Sequence, residues 1–208
     1  MVFARTTLIL AIALVAAACS SSEESPSSAS ADPDATTAEI SNRGDEMEGH
    51  TPRGFPGTGT GLFTGDNLNS SFPDGDGVQI YLTFDLPEIQ SVDAALLTSN
   101  VLHVSGTPFA DLGELLAEPV EYDSFGPDLY DLPASGDPAT CRREGEAGVV
   151  CDVTDQVDGA VSSGAASVQF RLRFERAGDN DGDQDLAMFF REDSNTNEPG
   201  LFTLRIRP

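Results

Sequence analysis

The stretch Ser167-Val-Gln-Phe-Arg-Leu-Arg-Phe-Glu175 decides the fold. Val168, Phe170, Leu172 and Phe174 fall on one side of an extended chain, and Gln169, Arg171, Arg173 and Glu175 on the other. Successive side chains of a strand point to opposite faces, so a strict period of two marks a strand with one face in a core. Val78-Gln-Ile-Tyr-Leu-Thr-Phe-Asp85 repeats it, with Val78, Ile80, Leu82 and Phe84 inward against Gln79, Tyr81 and Thr83. Leu201-Phe-Thr-Leu-Arg-Ile-Arg207 does so again through Phe202, Leu204 and Ile206. Weaker strands are expected over Ala95–Val104, Glu114–Tyr122, Val149–Val153 and Leu186–Arg191. One short helix stands out, with Thr154 as its cap and a run to Val161 that Gly159 and Ser162-Ser-Gly164 keep short. Many short strands joined by polar connections indicate an all-β chain folded as a single antiparallel β-sandwich over residues 56–208.

The chain ahead of the sandwich is of a different kind. Leu8 to Ala18 is an apolar run of signal-peptide length, too short for a permanent spanning helix. The junction Val15-Ala-Ala-Ala-Cys19 resembles a bacterial lipobox, with Ala16 where Leu is usual and Arg5 as the only charge of the leader. That resemblance implies removal of residues 1–18, lipid on Cys19, contact with the membrane through that lipid, and an extracytoplasmic place at the cell envelope. A plain secretory leader cut after Ala18 is the alternative, and it leads to the same side of the membrane. Residues 19–55 are dominated by Ser, Ala, Pro, Asp, Glu and Thr. Such a linker cannot bury enough apolar surface to offset its ordering entropy, so a disordered acidic tether reaching roughly 30 Å is expected.

Eleven basic residues, all Arg, face 35 acidic ones, a net charge of −24 that becomes one unit more negative if Arg5 leaves with the leader. A field of that sign repels phosphate backbones and excludes nucleic acid as an electrostatic partner. Three cysteines are present. With Cys19 assigned to lipid, Cys141 and Cys151 form an even pair flanking a segment that reads as a hairpin, and a disulfide is their expected state in an oxidising compartment. Closing so short a loop is worth about 2–3 kcal/mol.

Four segments, in order, resemble the DNRLRE-type family of extracellular β-sandwich modules and their carbohydrate-binding relatives. They are Gln79-Ile-Tyr-Leu-Thr-Phe-Asp-Leu-Pro87, Ser91-Val-Asp-Ala-Ala-Leu-Leu97, Val150-Cys-Asp-Val-Thr-Asp-Gln-Val157, and Phe190-Arg-Glu-Asp-Ser-Asn195 with Pro199-Gly-Leu-Phe-Thr-Leu204. The resemblance implies a jelly-roll sandwich serving as a non-catalytic module, in some members a polysaccharide binder. The Cys141/Cys151 pair departs from the family pattern, and a chain with three Tyr and no Trp offers few flat faces on which a sugar could stack.

Asp179-Asn-Asp-Gly-Asp-Gln-Asp185 is the sharpest local constellation. Calcium takes six to eight oxygens, and Asp179, Asp181, Asp183 and Asp185 at alternate positions could bring several to one point. The loop is not an EF-hand, since Gly182 stands fourth and Phe190 twelfth. A solvated acidic turn is the competing reading, and Asp74-Gly-Asp76-Gly77 is a second such turn. No nucleophile elbow, phosphate loop, zinc-protease or dinucleotide fingerprint occurs. His103 reads as a strand residue and His50 lies in the tether. Arg142 and Arg143 read as a hairpin tip paired with Glu144 and Glu146. Arg171 and Arg173 form an outward stripe that would pair with acids of a neighbouring strand; an anionic ligand is the alternative. The expected function is therefore a non-catalytic envelope module that binds polysaccharide or an envelope partner. A glycan hydrolase using a carboxylate pair and a ligand-free spacer are the competing readings.

Overall fold

A computed structural model describes residues 37–41, 49–50, 61–68, 77–99, 101–145, 148–190 and 201–208. Cys19, the leader, most of the linker and the Asp74/Asp76 turn lie outside the described residues. The strands are β1 (Ala38–Ser41), β2 (Gly49–His50), β3 (Gly61–Asp66), β4 (Gly77–Val78), β5 (Ile80–Asp85), β6 (Ala94–Ser99), β7 (Leu102–Ser105), β8 (Leu115–Pro119), β9 (Ala139–Arg143), β10 (Val149–Asp152), β11 (Ser167–Phe174), β12 (Asp185–Phe190) and β13 (Phe202–Arg207). Helices are few and short: α1 (Pro108–Asp111), one 3-10 turn (Pro127–Leu129) and α2 (Thr154–Ser162). Among the described residues no helix is long and apolar enough to cross a membrane.

Among the described residues all pairings are antiparallel, and they form two sheets. The larger runs β1-β13-β6-β10-β9-β8-β11-β5-β2, and the smaller runs β4-β3-β12-β7. Inward rows of both meet in one core. Leu62, Leu102, Ala187 and Phe189 of the small sheet lie with Leu82, Phe84, Leu97, Phe170, Leu172, Phe202 and Leu204 of the large one. Phe189 and Phe202 touch across the sandwich, with ring centroids 4.9 Å apart. The hydroxyl of Thr64 lies 3.1 Å from Val78 O and 3.3 Å from Leu172 O, the second acceptor belonging to the facing sheet.

Several features differ from the sequence reading. Ala38–Ser41, which the sequence places in the tether, is an edge strand: Ile40 sits opposite Leu204 of β13 and packs on the core. A single large apolar side chain in a polar run is too weak a local signal, and the strand exists because β13 offers an open edge. The expected strand Ala95–Val104 is instead two strands, β6 in the large sheet and β7 in the small one. Thr154 is the first residue of α2 and not its cap. Asp152 Oδ1 accepts from Thr154 N at 3.2 Å and from its hydroxyl at 2.6 Å, while that hydroxyl accepts from Ala95 N at 3.0 Å.

The largest correction concerns the outer face of the large sheet. Tyr81, Thr83 and Arg171, read as solvent-facing, are buried. The chain between β8 and β9 folds back over this face and builds a second small core of Tyr81, Val120 and Leu129, with Tyr122, Phe125 and Leu132 against it. Period-two alternation separates two faces but does not say which is wet.

Cys141 and Cys151 sit directly opposite one another on β9 and β10 and are joined as a disulfide, both buried in the main core. Replacing both by Ala is expected to cost about 2–3 kcal/mol, by loss of loop restriction in the unfolded chain. Urea denaturation of both proteins checks this, and a loss below about 1 kcal/mol would contradict it.

Candidate functional site

The polar row of β11 fastens the overlying connection. Gln169 holds the backbone of Tyr122 with both amide atoms, accepting from its N at 2.9 Å and donating to its O at 3.0 Å. Arg171 donates Nε to Glu118 Oε2 at 2.8 Å and Nη1 to Leu132 O at 2.6 Å. Glu118, on the adjacent strand β8, also takes Arg173 on its other oxygen. Burial pushes the Glu118 carboxyl upward, but hydrogen bonds from Arg173 and Arg171 and their two charges outweigh it and hold the group below its ordinary value. The stripe expected on Arg171 and Arg173 is thus paired internally, both guanidinium groups sharing the one carboxylate of Glu118. The Tyr81 phenol lies 2.6 Å from Leu129 O and from Gln79 Oε1, and burial pushes its titration far up, so it stays neutral at physiological pH.

Between that connection and α2 lies a groove of about 840 Å³. Its walls carry the carboxylates of Glu121, Asp123, Asp137 and Asp155 together with Ser135, Ser163 and the amides of Gln156 and Gln169. Gln156 Nε2 donates to Asp137 O at 2.8 Å and ties the two walls together. A smaller cavity of about 320 Å³ beside Gln79, Tyr130 and Arg171 opens on the far side of the connection. His103 is an exposed residue of β7 whose ring meets Phe190 at 5.5 Å, the strand role read from sequence.

A second site lies at one end of the sandwich, where the chain leaves β11 for β12. Asp185 opens β12 directly opposite Asp66, the last residue of β3, and both are 1% exposed. In register with Thr64–Ala187 and Leu62–Phe189, they extend the inward rows past the apolar core. Asp111, at the end of α1, and Asp179 complete the group: one carboxylate oxygen each from Asp111, Asp179 and Asp185 lies within 4.8 Å of the others. Thr107 ties α1 to β12, its N donating to Asp185 Oδ1 and its hydroxyl to Asp111 Oδ2. Gly106 permits this closeness, because with φ +71° a Cβ there would stand 2.3 Å from Asp185 Oδ1.

Of the four carboxylates read from sequence, the structure brings together Asp179 and Asp185. Asp181 and Asp183 are exposed on the loop, where Asp181 N is held by Asp179 Oδ1 at 3.2 Å and Asp183 N by Asp181 Oδ1 at 2.7 Å. Asp66 and Asp111 come from elements more than sixty residues upstream, which no reading of the loop alone could find. Burial raises the Asp66 carboxyl above its ordinary value and repulsion from Asp179, Asp185 and Asp181 adds to it, against one backbone hydrogen bond from Asp179. Burial likewise raises Asp185, with repulsion from Asp111, Asp179 and Asp181 added, against the hydrogen bond from Thr107. No protein-family model matches this chain, and no curated protein matches it.

Proposed function

We propose that this chain is a lipid-anchored, extracytoplasmic, non-catalytic β-sandwich module that binds polysaccharide in the groove beside α2. The groove carries this reading. Its volume is that of a ligand site, and its walls are set with hydroxyl- and carboxylate-bearing residues of the kind that hydrogen-bond sugar hydroxyls. The net charge of −24 selects against anionic polymers and favours neutral glycans. The ordered segments that resemble extracellular carbohydrate-binding modules support the same class. The leader and Cys19 support anchoring at the envelope, and the buried Cys141–Cys151 disulfide suits an oxidising compartment.

Gly159 offers a clean test. It lines the groove from α2, and a Cβ built on it meets nothing within 4 Å. Gly159→Trp is expected to fill the groove without moving the melting temperature. On an array of neutral glycans the wild-type chain should give signals that this variant loses. A blank array with wild type would overturn the polysaccharide reading in favour of an envelope protein as ligand. Release of reducing ends from a bound glycan would overturn the non-catalytic one.

A further inference from the structure

We propose that Asp66, Asp111, Asp179 and Asp185 form a divalent-cation site, filled by calcium, that closes one end of the sandwich. This goes beyond the groove reading and stands or falls independently of it.

Three carboxylates from separate places in the chain, the end of α1, the loop after β11 and the start of β12, bring oxygens close together, and Asp66 at the end of β3 stands opposite one of them, Asp185. Like charges set directly opposite on adjacent strands repel, and Asp66 faces Asp185 in that way. The charges bearing on this pair are those of other aspartates. Buried carboxylates are ordinarily satisfied by a cation or by donors. Here Asp66 Oδ1 and Asp185 Oδ2 are both buried with no hydrogen-bond partner. Two unpartnered oxygens of nearly inaccessible side chains on neighbouring strands, with Asp185 beside Asp111 and Asp179, are what a bound cation would satisfy.

The ligand chemistry narrows the ion. An all-oxygen carboxylate set suits a hard cation over zinc or copper, which prefer nitrogen and sulfur. Oxygens sharing one calcium at 2.3–2.6 Å can stand at most about 5 Å apart. The carboxylate oxygens of Asp111, Asp179 and Asp185 lie within 4.8 Å of one another, inside that span. Magnesium demands near-ideal octahedral geometry and gives up its waters reluctantly. A buried site assembled from loop, helix and strand ends suits the more tolerant ion. Once bound, calcium would tie β3 and β12 of the small sheet to the chain entering from β11 of the large one. The Asp179–Asp185 loop would then be a clasp between sheets.

The test is calorimetric titration of the chelator-treated, full secreted chain with calcium chloride and, separately, magnesium chloride, alongside thermal melting. One calcium per chain is expected, with a melting temperature raised by about 5–10 °C at a free calcium concentration of a hundred times Kd. Asp66→Asn and Asp185→Asn should raise the melting temperature of the calcium-free chain, by relieving repulsion, yet abolish the calcium increment. A merely structural role for either residue would not produce that pair of effects. Asp111→Asn, at a half-exposed position that folding tolerates, should weaken calcium at least tenfold even if the buried variants fail to fold. Asp181→Asn and Asp183→Asn should change it less than threefold. No calcium binding by wild type would overturn the proposal. So would magnesium binding as tightly as calcium, or calcium binding lost in the Asp181 or Asp183 variant but kept in the Asp111 one.

Discussion

Arg171→Met is expected to destabilise the domain by about 3–5 kcal/mol, the usual effect of stranding one partner of a buried ion pair. Glu118 and Arg171 are 4% and 6% exposed, and the arginine's remaining donors hold Leu132 O and Tyr130 O. Methionine fills much of the same volume, so the measured loss reports charge and hydrogen bonds more than a cavity. Arg173 retains one oxygen of Glu118, which keeps the effect toward the lower end of that range. The acid side of the stability profile carries a second signature. Glu118 titrates below its ordinary value of 4.5 in the folded chain, so the unfolded chain binds the proton more readily. Its contribution is fully present above about pH 4.5 and is lost as pH falls through the folded value, which lies lower. In Arg171→Met the folded value moves back up toward the ordinary one, so that acid-dependent loss should shrink. Urea midpoints measured from pH 7 downward check both effects. A change below 1 kcal/mol at neutral pH, or an acid limb identical to wild type, would show that the pair contributes little.

Phe189→Ala should cost about 3–5 kcal/mol, through lost apolar burial and an unfilled cavity between the sheets. Phe189 is fully buried, and its ring meets Phe202 from the opposite sheet. The contact joins a ring of each sheet directly, so the pair should couple. A double-mutant cycle with Phe202→Ala is expected to show an interaction of about 0.5–1.5 kcal/mol beyond additivity. Purely additive losses would mean that each ring is held by its own sheet. Chemical denaturation of the four proteins measures it.

Where the sequence was legible, the reason was periodicity. β13 shows it best: Phe202, Leu204 and Ile206 are fully buried, while Arg205 and Arg207 are exposed. The hairpin disulfide was legible too, since a short segment with cysteines at both ends can close on itself. Arg171 was not, because its partner Glu118 stands 53 positions away and the covering chain around Leu132 stands 39 away. Alternation also hid β3, where Gly61, Gly65 and Asp66 interrupt the apolar pattern. That interruption was itself a signal. At φ +122°, Gly65 lets β3 pass so close to β12 that a Cβ would stand 2.1 Å from Asp185 O, next to the acid pair. An acidic residue following a glycine at a strand end is weak evidence alone, and only the register of β3 on β12 gives it meaning. The aspartate loop thus supplies two of the four residues of the proposed group, and the other two come from elements that the loop could not reveal.

Closure of the sandwich end by a cation is tested most directly by locating the ion. Crystals of the calcium-loaded chain, measured at a wavelength where calcium scatters anomalously, should show one peak among the carboxylates of Asp66, Asp111, Asp179 and Asp185, at about 2.3–2.6 Å from their oxygens. A peak held by Asp181 and Asp183 on the exposed loop, or no peak at this end of the sandwich, would contradict it.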